Sequence, residues 1–485
     1  MSKPSDVFDR DREWAALDRF VSAERPGATL GLVYGRRRQG KTYLLEALCE
    51  TAGGVYIAAL EQSPAQNLAR VADAYRRARG GAGLVVFGSW EEALSAVLSL
   101  GEDASAPTLV VIDELPYLLR GAPELPSVLQ ALLSPRSATA TRSRTRLVLC
   151  GSALSTMEGL LAGGAPLRGR ATLELMVHPF SYRDAARFWG TAHDPVLSML
   201  LHALVGGTPA YHEMCGNAPS SVAEIDEWAT TTLLDPASAM FREGNTLLAE
   251  EARIADAAVY FSVLGAIARG ATRRVEIAAA TGRPEGALAH SLSALADARL
   301  IAPLADAFKL RRTTYHIAEP VLRLHQLVIA PHEGRLVRHR AGEVWAEVAD
   351  TVSAQVYGPH FEHLARTWCA EHASQETLGG TPSRVAPTVV ACREHRERHE
   401  LDVVVLEKKA QTRERVVALG EAKWRTVTFG VSHLARLEHC RDLLGADGAK
   451  LLCFSKEGFS PALVDASRTR PDVELIDPSR LYGGE

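Results

Sequence analysis

The stretch from Leu30 to Leu48, LGLVYGRRRQGKTYLLEAL, restricts the fold of this chain more than any other. The apolar run Leu30–Tyr34 fits a buried strand, a loop runs from Gly35 to Gly40, and Lys41 and Thr42 open a helix-forming run. That is the strand, G-x-x-x-x-G-K-T loop and helix of a phosphate-binding P-loop. Gly35 and Gly40 let backbone N–H groups close around phosphate oxygens, and the helix N-terminus adds partial positive charge. Lys41 is placed to reach the β- and γ-phosphates, and Thr42 to offer its hydroxyl to Mg²⁺. Arg36, Arg37, Arg38 and Gln39 within the loop, and Tyr43 just after it, are expected at the same nucleotide. ATP is the ligand this predicts.

Around the loop the pattern alternates strand with helix. Strand candidates lie at Gly54–Ala58, Thr108–Asp113, Arg146–Cys150 and Leu173–Val177, with helical patterns at Ser63–Arg79 and Trp90–Leu100. The run TLVVIDE at 108–114 is continuously apolar and ends in two carboxylates, as a buried parallel strand opening at a nucleotide crevice does. Asp113 is then the group to hold Mg²⁺ through water, and Glu114 the one to polarise the attacking water. Ser152, just past Arg146–Cys150, is either a sensor of the γ-phosphate or a turn serine. Arg168 and Arg170 precede the last strand, and either can serve as a phosphate-binding guanidinium or as surface charge.

Length and charge set the outer bounds. A chain of 485 residues with 47% apolar and 23% charged residues predicts two to four globular domains. A formal charge of −4 argues against a general basic coat, so any nucleic-acid surface has to be local. MSKPSDVFDRDREW has no apolar targeting core, and no stretch is long and apolar enough to span a bilayer. A soluble cytoplasmic protein without a membrane partner is expected. The seven cysteines are scattered without a C-x-x-C pair, and their spacing spells no zinc site.

The combination FDRDREWAAL, VYGRRRQGKTYLL, LVVIDELPYLL, CGSALSTM, PLRGR and GGTPAY resembles the archaeal-type ATPase family, near the AAA+ and STAND P-loop ATPases. The resemblance implies that Arg10 helps frame the nucleotide end. It also implies that Gly207 and Pro209 sit on a helical lid near the adenine. The residues alone read Gly206–Pro209 as a helix stop and restart.

From Ser181 to Glu251 the pattern is helical. Tyr260, Val263, Leu264 and Ile267 then mark a buried helix face, a short helix follows at Val275–Thr281, and Pro284 starts a third. Strand-like stretches at Leu300–Leu304 and Thr313–Ile317 flank Lys309, Arg311 and Arg312. Three helices and a basic ribbon spell a winged helix-turn-helix. Its third helix is poor in side chains that read base edges, so the ribbon suits phosphate contact better. Arg335–Arg340 is a basic connector read as a solvated helix face.

Beyond residue 350 a helix carries Phe361, Leu364, Ala365, Trp368 and Cys369 on one face, with Glu362 beside them. A polar stretch leads to Glu400-Leu401-Asp402, which opens the strand Val403–Leu406, and a second strand returns at Val416–Trp424. Glu421 and Lys423 share a strand face, and beside Asp402 they form two carboxylates and an ammonium in one pocket. Oxygen ligands from Glu362, Asp402 and Glu421 suit Mg²⁺ or Mn²⁺, and Lys423 suits a phosphodiester transition state. The other reading is an ordinary salt-bridged strand. Glu362, ELDVV at 400–404, EAKW at 421–424 and LLCFSKEGF at 451–459 resemble the PD-(D/E)XK nuclease superfamily, although no proline precedes Asp402.

The expected architecture is α/β. It comprises a P-loop NTPase parallel sheet (1–180), a helical lid (181–250), a winged helix-turn-helix (251–330), a basic connector (331–349) and a restriction-endonuclease-like α/β domain (350–485). Lys41, Asp113, Glu114, Ser152 and Arg170 would run ATP turnover, and Asp402, Glu421 and Lys423 would cut nucleic acid, DNA before RNA. The alternative is an ATP-dependent signalling switch or scaffold whose C-terminal fold binds a partner protein, or a second copy of the chain, and cuts nothing.

Overall fold

The computed structural model describes residues 1–81, 83–102, 104–249, 257–392, 396–408, 414–424 and 427–485. Among the described residues, contacts divide the chain into two compact units, one over Met1–Pro179 and one over Phe180–Ala249 and 257–485.

The first unit is a five-stranded sheet of β1 (Thr29–Tyr34), β2 (Val55–Ala58), β3 (Thr108–Asp113), β4 (Thr145–Gly151) and β5 (Ala171–Met176). The order is β2-β3-β4-β1-β5 and every pairing is parallel. The inner strands read as unbroken apolar runs because helices cover both faces. Leu30, Leu32, Val110, Ile112, Leu147 and Leu149 pack one way, against Trp90, Leu94 and Val97. Val33, Val111 and Val148 face the other way. There they meet Trp14 and Leu17 of helix α1 (Asp11–Ser22) and Leu44, Leu45 and Leu48 of α2 (Lys41–Ala52). Full burial of each such leucine stabilises the unit by about 1.5–3 kcal/mol. The register sets Tyr34 beside Gly151 and Ala58 beside Asp113, so the carboxyl ends of β1, β3 and β4 form one rim.

The second unit opens with helices at Tyr182–Phe188, Pro195–Val205 and Ala210–Cys215. Further along the chain lie α3 (Ala257–Ala268), α4 (Arg274–Thr281) and α5 (Leu288–Asp297). The strands β6 (Ile301–Ala305) and β7 (Thr313–Ile317) then pair antiparallel, so the helices and ribbon expected from sequence are present. The ribbon is fastened inside this unit: the Ala307 N–H donates to the Pro387 carbonyl at 2.9 Å, and the Thr388 hydroxyl donates to Asp306 at 3.1 Å.

The C-terminal part runs α6 (Gly358–Glu371), β8 (Arg384–Cys392), β9 (Glu397–Glu407), β10 (Arg415–Lys423), α7 (Val431–Leu443), β11 (Lys450–Ser455) and β12 (Val473–Ile476). Its sheet is ordered β12-β11-β10-β9-β8, antiparallel from β8 to β10 and parallel from β10 to β12. β8 falls in the stretch read above as merely polar, and β9 starts at Glu397, upstream of the expected opening. Pro387 is what disguises β8, since proline in a strand ordinarily argues against one. It is tolerated because β9 carries an extra residue there. The pairing passes from Ala386–Val404 to Thr388–Leu401, leaving Asp402 and Val403 opposite Pro387 alone. Such a bulge re-aims side chains, and here it lies at Asp402.

Candidate functional site

At the rim of the first unit the loop is built by close approach. A Cβ on Gly35 would lie 2.3 Å from the Val177 carbonyl oxygen, so only glycine fits. Gly40 has φ +83° and Arg38 φ +67°, the left-handed backbone that turns N–H groups toward a common centre. Arg10 donates to the Gln39 carbonyl at 3.0 Å and to Glu13 at 3.2 Å, so it braces the loop from α1. Lys41 is buried and donates from Nζ to the Arg36 carbonyl at 2.7 Å. Burial pulls its pKa down, while the neighbouring carboxylates of Glu114 and Asp113 oppose that pull.

Thr42 donates from Oγ1 to Asp113 Oδ2 at 2.8 Å, and the Tyr56 hydroxyl donates to the same oxygen at 2.6 Å. The Glu114 N–H donates to Asp113 Oδ1 at 2.8 Å. Burial works to raise the Asp113 pKa, but donation from Cys150, Tyr56, Thr42 and the Glu114 amide outweighs it and the carboxyl is held low. The same burial and the Asp113 charge push the Cys150 thiol up, so it stays a neutral donor. Glu114 has φ +53° and precedes the helix Leu115–Gly121, and its carboxylate accepts from the Ser152 hydroxyl at 3.0 Å. Hydroxyl and carboxylate oxygens in contact are the hard donor set that Mg²⁺ takes, so Thr42 and Asp113 fit that ion.

The other residues singled out in this region are placed less centrally. Arg36 and Gln39 are buried, and Arg37 donates to the Tyr117 hydroxyl at 2.5 Å. Tyr43 is 51% exposed and donates to Asp6 at 2.8 Å. Arg168 is exposed and donates to the Gly163 carbonyl, and Arg170 is half-buried. Pro209 lies in the second unit, where it precedes the helix Ala210–Cys215.

In the second unit the antiparallel register of β9 and β10 runs to Val403–Gly420, and Asp402 and Glu421 are the residues next along each strand. Asp402 Oδ2 accepts the Ala422 N–H at 2.8 Å. Glu421 is buried and accepts from Arg436 of α7 at 2.9 Å, with Lys423 also paired to it. From α6, Arg366 donates to the Asp402 carbonyl at 2.9 Å and lies 3.9 Å from Glu362. Burial raises the Asp402 pKa against the opposing pull of the Ala422 N–H and Arg366. Burial and the Asp402 charge push Glu362 up to about 7. Burial holds His316 and His363 nearby down to about 4, so they are neutral at physiological pH. A cavity of about 150 Å³ opens beside these groups, lined by Arg312, His316, Glu362, Arg366, Glu400 and Asp402.

The structure thus brings Asp402, Glu421 and Lys423 together as expected. It does not draw Glu362, Asp402 and Glu421 into one tight shell: among the described residues the trio whose ligand atoms all lie within 4.8 Å is a different one, Cys392, His399 and His439. The reason is that Glu421 is held by Lys423 and Arg436. Burial raises both carboxyls, with the Asp402 charge adding to the rise at Glu362, and two buried oxygen donors of this kind fit a divalent cation. Tyr56, Cys150, Arg366 and Arg436 were missed in the sequence. Arg366 alone carried a signal there, four residues after Glu362 on one helix face.

A parallel sheet with such a loop after β1 and Asp113 at the end of β3 is a P-loop nucleotide-binding fold. Residues 7–196 match the family described as ATPase domain predominantly from Archaea. The chain is 26% identical over 206 residues to an uncharacterized protein of Methanocaldococcus jannaschii, across 42% of this chain and 43% of that protein. It therefore spans less than half the length of that relative. Among solved structures, the Walker-type ATPase of Pyrococcus abyssi aligns with a TM-score of 0.49 and 21% identity, over 67% of this chain and 97% of that one. The ORC2 protein of Aeropyrum pernix aligns with a TM-score of 0.43 and 17% identity, over 72% and 97%. No helix among the described residues is long and apolar enough to cross a membrane.

Proposed function

We propose that the chain is an ATP-hydrolysing enzyme directed at nucleic acid, with a C-terminal domain of the PD-(D/E)XK kind that cleaves phosphodiesters. In the first unit Lys41 would neutralise the β- and γ-phosphates, Thr42 and Asp113 would hold Mg²⁺, and Glu114 would take the proton of the attacking water. When bound, the cation would supply positive charge against the phosphates. Ser152 orients Glu114, and Arg10 holds the loop in its closed course through the Gln39 carbonyl.

In the second unit the observation that carries the reading is Asp402 on the Ala422 N–H, directly beside the Glu421–Lys423 pair. The order α6, β8, β9, β10, α7, β11 supports it, since it puts the acid and the acid-x-lysine on adjacent antiparallel strands. Glu362 and Asp402 would hold Mg²⁺ or Mn²⁺, which polarises a phosphoryl oxygen when bound. Lys423, once released from Glu421, would stabilise charge on the phosphate. The winged helix would hold duplex DNA by its backbone through Lys309, Arg311 and Arg312.

A second reading, a switch whose C-terminal fold is silent, is favoured by one observation: the Glu421 carboxylate is already satisfied by Lys423 and Arg436. Incubation with single-stranded, duplex and branched DNA and RNA, with Mg²⁺ or Mn²⁺ and with or without ATP, separates the two. Cleavage lost in Lys423→Ala, with ATP turnover kept, supports the nuclease reading; no cleavage of any substrate refutes it.

A further inference from the structure

Cys392, His399 and His439 come from three different elements of the C-terminal domain and converge. Val390 is paired with His399 across β8 and β9, and Cys392 lies two residues beyond Val390 on the same face. Cys392 and His399 are therefore diagonal neighbours, close enough for side chains to meet. That face is packed under α7 by Leu434, Leu437 and Cys440 against Ala386, Val390 and Leu401. His439, on the same helix, reaches down beside them. Its Nε2 lies 3.3 Å from Cys392 Sγ, and its ring stands edge-on to His399 with centroids 5.4 Å apart. One ligand atom from each of the three falls within 4.8 Å of the others.

We infer that these three residues form a binding site for Zn²⁺ or a similar borderline-soft divalent ion. Two imidazoles and one thiolate are the donors such ions prefer over the oxygen set of Mg²⁺ or Ca²⁺. The spacing agrees as well. With Zn–S near 2.3 Å and Zn–N near 2.05 Å, tetrahedral angles put sulfur and nitrogen ~3.6 Å apart. The observed 3.3 Å needs only a small opening to admit the ion. Cys392 and His399 are buried whereas His439 is half-buried, so the site is closed on the sheet side and approachable from the helix side. Three protein ligands leave a fourth position for water. On binding, Cys392 gives up its thiol proton to solvent and both histidines bind as neutral imidazoles.

The ion would clamp α7 onto the β8–β9 hairpin. α7 also carries Arg436, which grips Glu421 and the Glu400 carbonyl, so the clamp would set the partner of a carboxylate in the neighbouring cluster. The clamp would form whether or not that cluster cuts.

The test uses the full chain, stripped with chelator and titrated with Co²⁺ alone, because thiolate-to-Co²⁺ charge transfer absorbs in the near ultraviolet. The expected result is a charge-transfer band saturating at about one equivalent and bleached by Zn²⁺. Cys392→Ser should abolish it and His439→Gln should weaken Co²⁺ affinity by at least about tenfold. Thr42→Ala and Asp402→Asn should leave it unchanged, which separates this site from the two oxygen sites. His439 is half-buried, so His439→Gln decides the matter if circular dichroism shows Cys392→Ser misfolded. A band that never forms, or one that survives both substitutions, overturns the site.

Discussion

The Ser152 hydroxyl donates to Glu114 Oε2 at 3.0 Å, tying the end of β4 to the residue after β3. Under the proposed mechanism Glu114 is the general base; held at one oxygen it can still receive a proton at the other, which would make Ser152 a positioning residue. Glu114→Gln should lower kcat for ATP by about 10²–10⁴-fold while leaving nucleotide affinity intact. Ser152→Ala should cost less, because the base remains. Phosphate release measured beside binding of a fluorescent nucleotide checks both; equal losses in the two variants would reject the positioning role.

Gly35→Ala is a sharper probe of the loop than Lys41→Ala because it removes no charge. The new Cβ meets the Val177 carbonyl at 2.3 Å, and backbone cannot move aside as a flexible side chain would. Overpacking of this kind costs about 1–3 kcal/mol. The variant should melt lower and lose the rise in Tm that ATP gives the parent chain. An ATP-induced rise of undiminished size would contradict the loop course described above.

Glu362 predicts a pH dependence in chelator. Its pKa is raised from 4.5 to about 7 by burial and by Asp402, with Glu400 adding and Arg366 and Arg323 opposing. A carboxyl raised on folding binds its proton more tightly in the native state. Its contribution to stability is therefore present below about pH 4.5 and lost as pH rises through about 7. Thermal melts from about pH 5 to about pH 8 should fall more steeply for the parent chain than for Glu362→Gln. Parallel curves would mean that Glu362 is not the group responsible.

Phe308, Lys309, Leu310 and Arg311 are exposed at the tip of the β6–β7 ribbon. If the tip grips the DNA backbone, affinity should fall linearly on a log–log plot as salt rises, with a slope near −0.9 per phosphate contacted. Replacing Lys309 and Arg311 by alanine should shallow that slope by about 2 and weaken all sequences alike. A slope unchanged by the double substitution would place DNA elsewhere.

The first unit was legible in detail because its signals are local. A P-loop is a contiguous string whose glycines, lysine and threonine each have a fixed job, and parallel strands buried on both faces announce themselves as apolar runs. The positions of β1 and β3 follow from that alone. The second unit was legible in part. Glu421 and Lys423 obey the period of two, but β8 was hidden by Pro387, whose place in a strand depends on a bulge in its neighbour. Tyr56 and Cys150 left no trace, since each touches Asp113 only through sheet register.

Sequence by itself therefore determined the nucleotide loop, the acids at the end of β3, the ribbon and the acid-x-lysine strand. All of these are set by neighbours a few residues apart. Only the tertiary structure decided who shares a site with whom: Ser152 with Glu114, Arg436 with Glu421, and His439 with Cys392 and His399. Such pairings depend on strand register and helix docking across separations of 15 to 47 residues, where side-chain identity carries no record of distance.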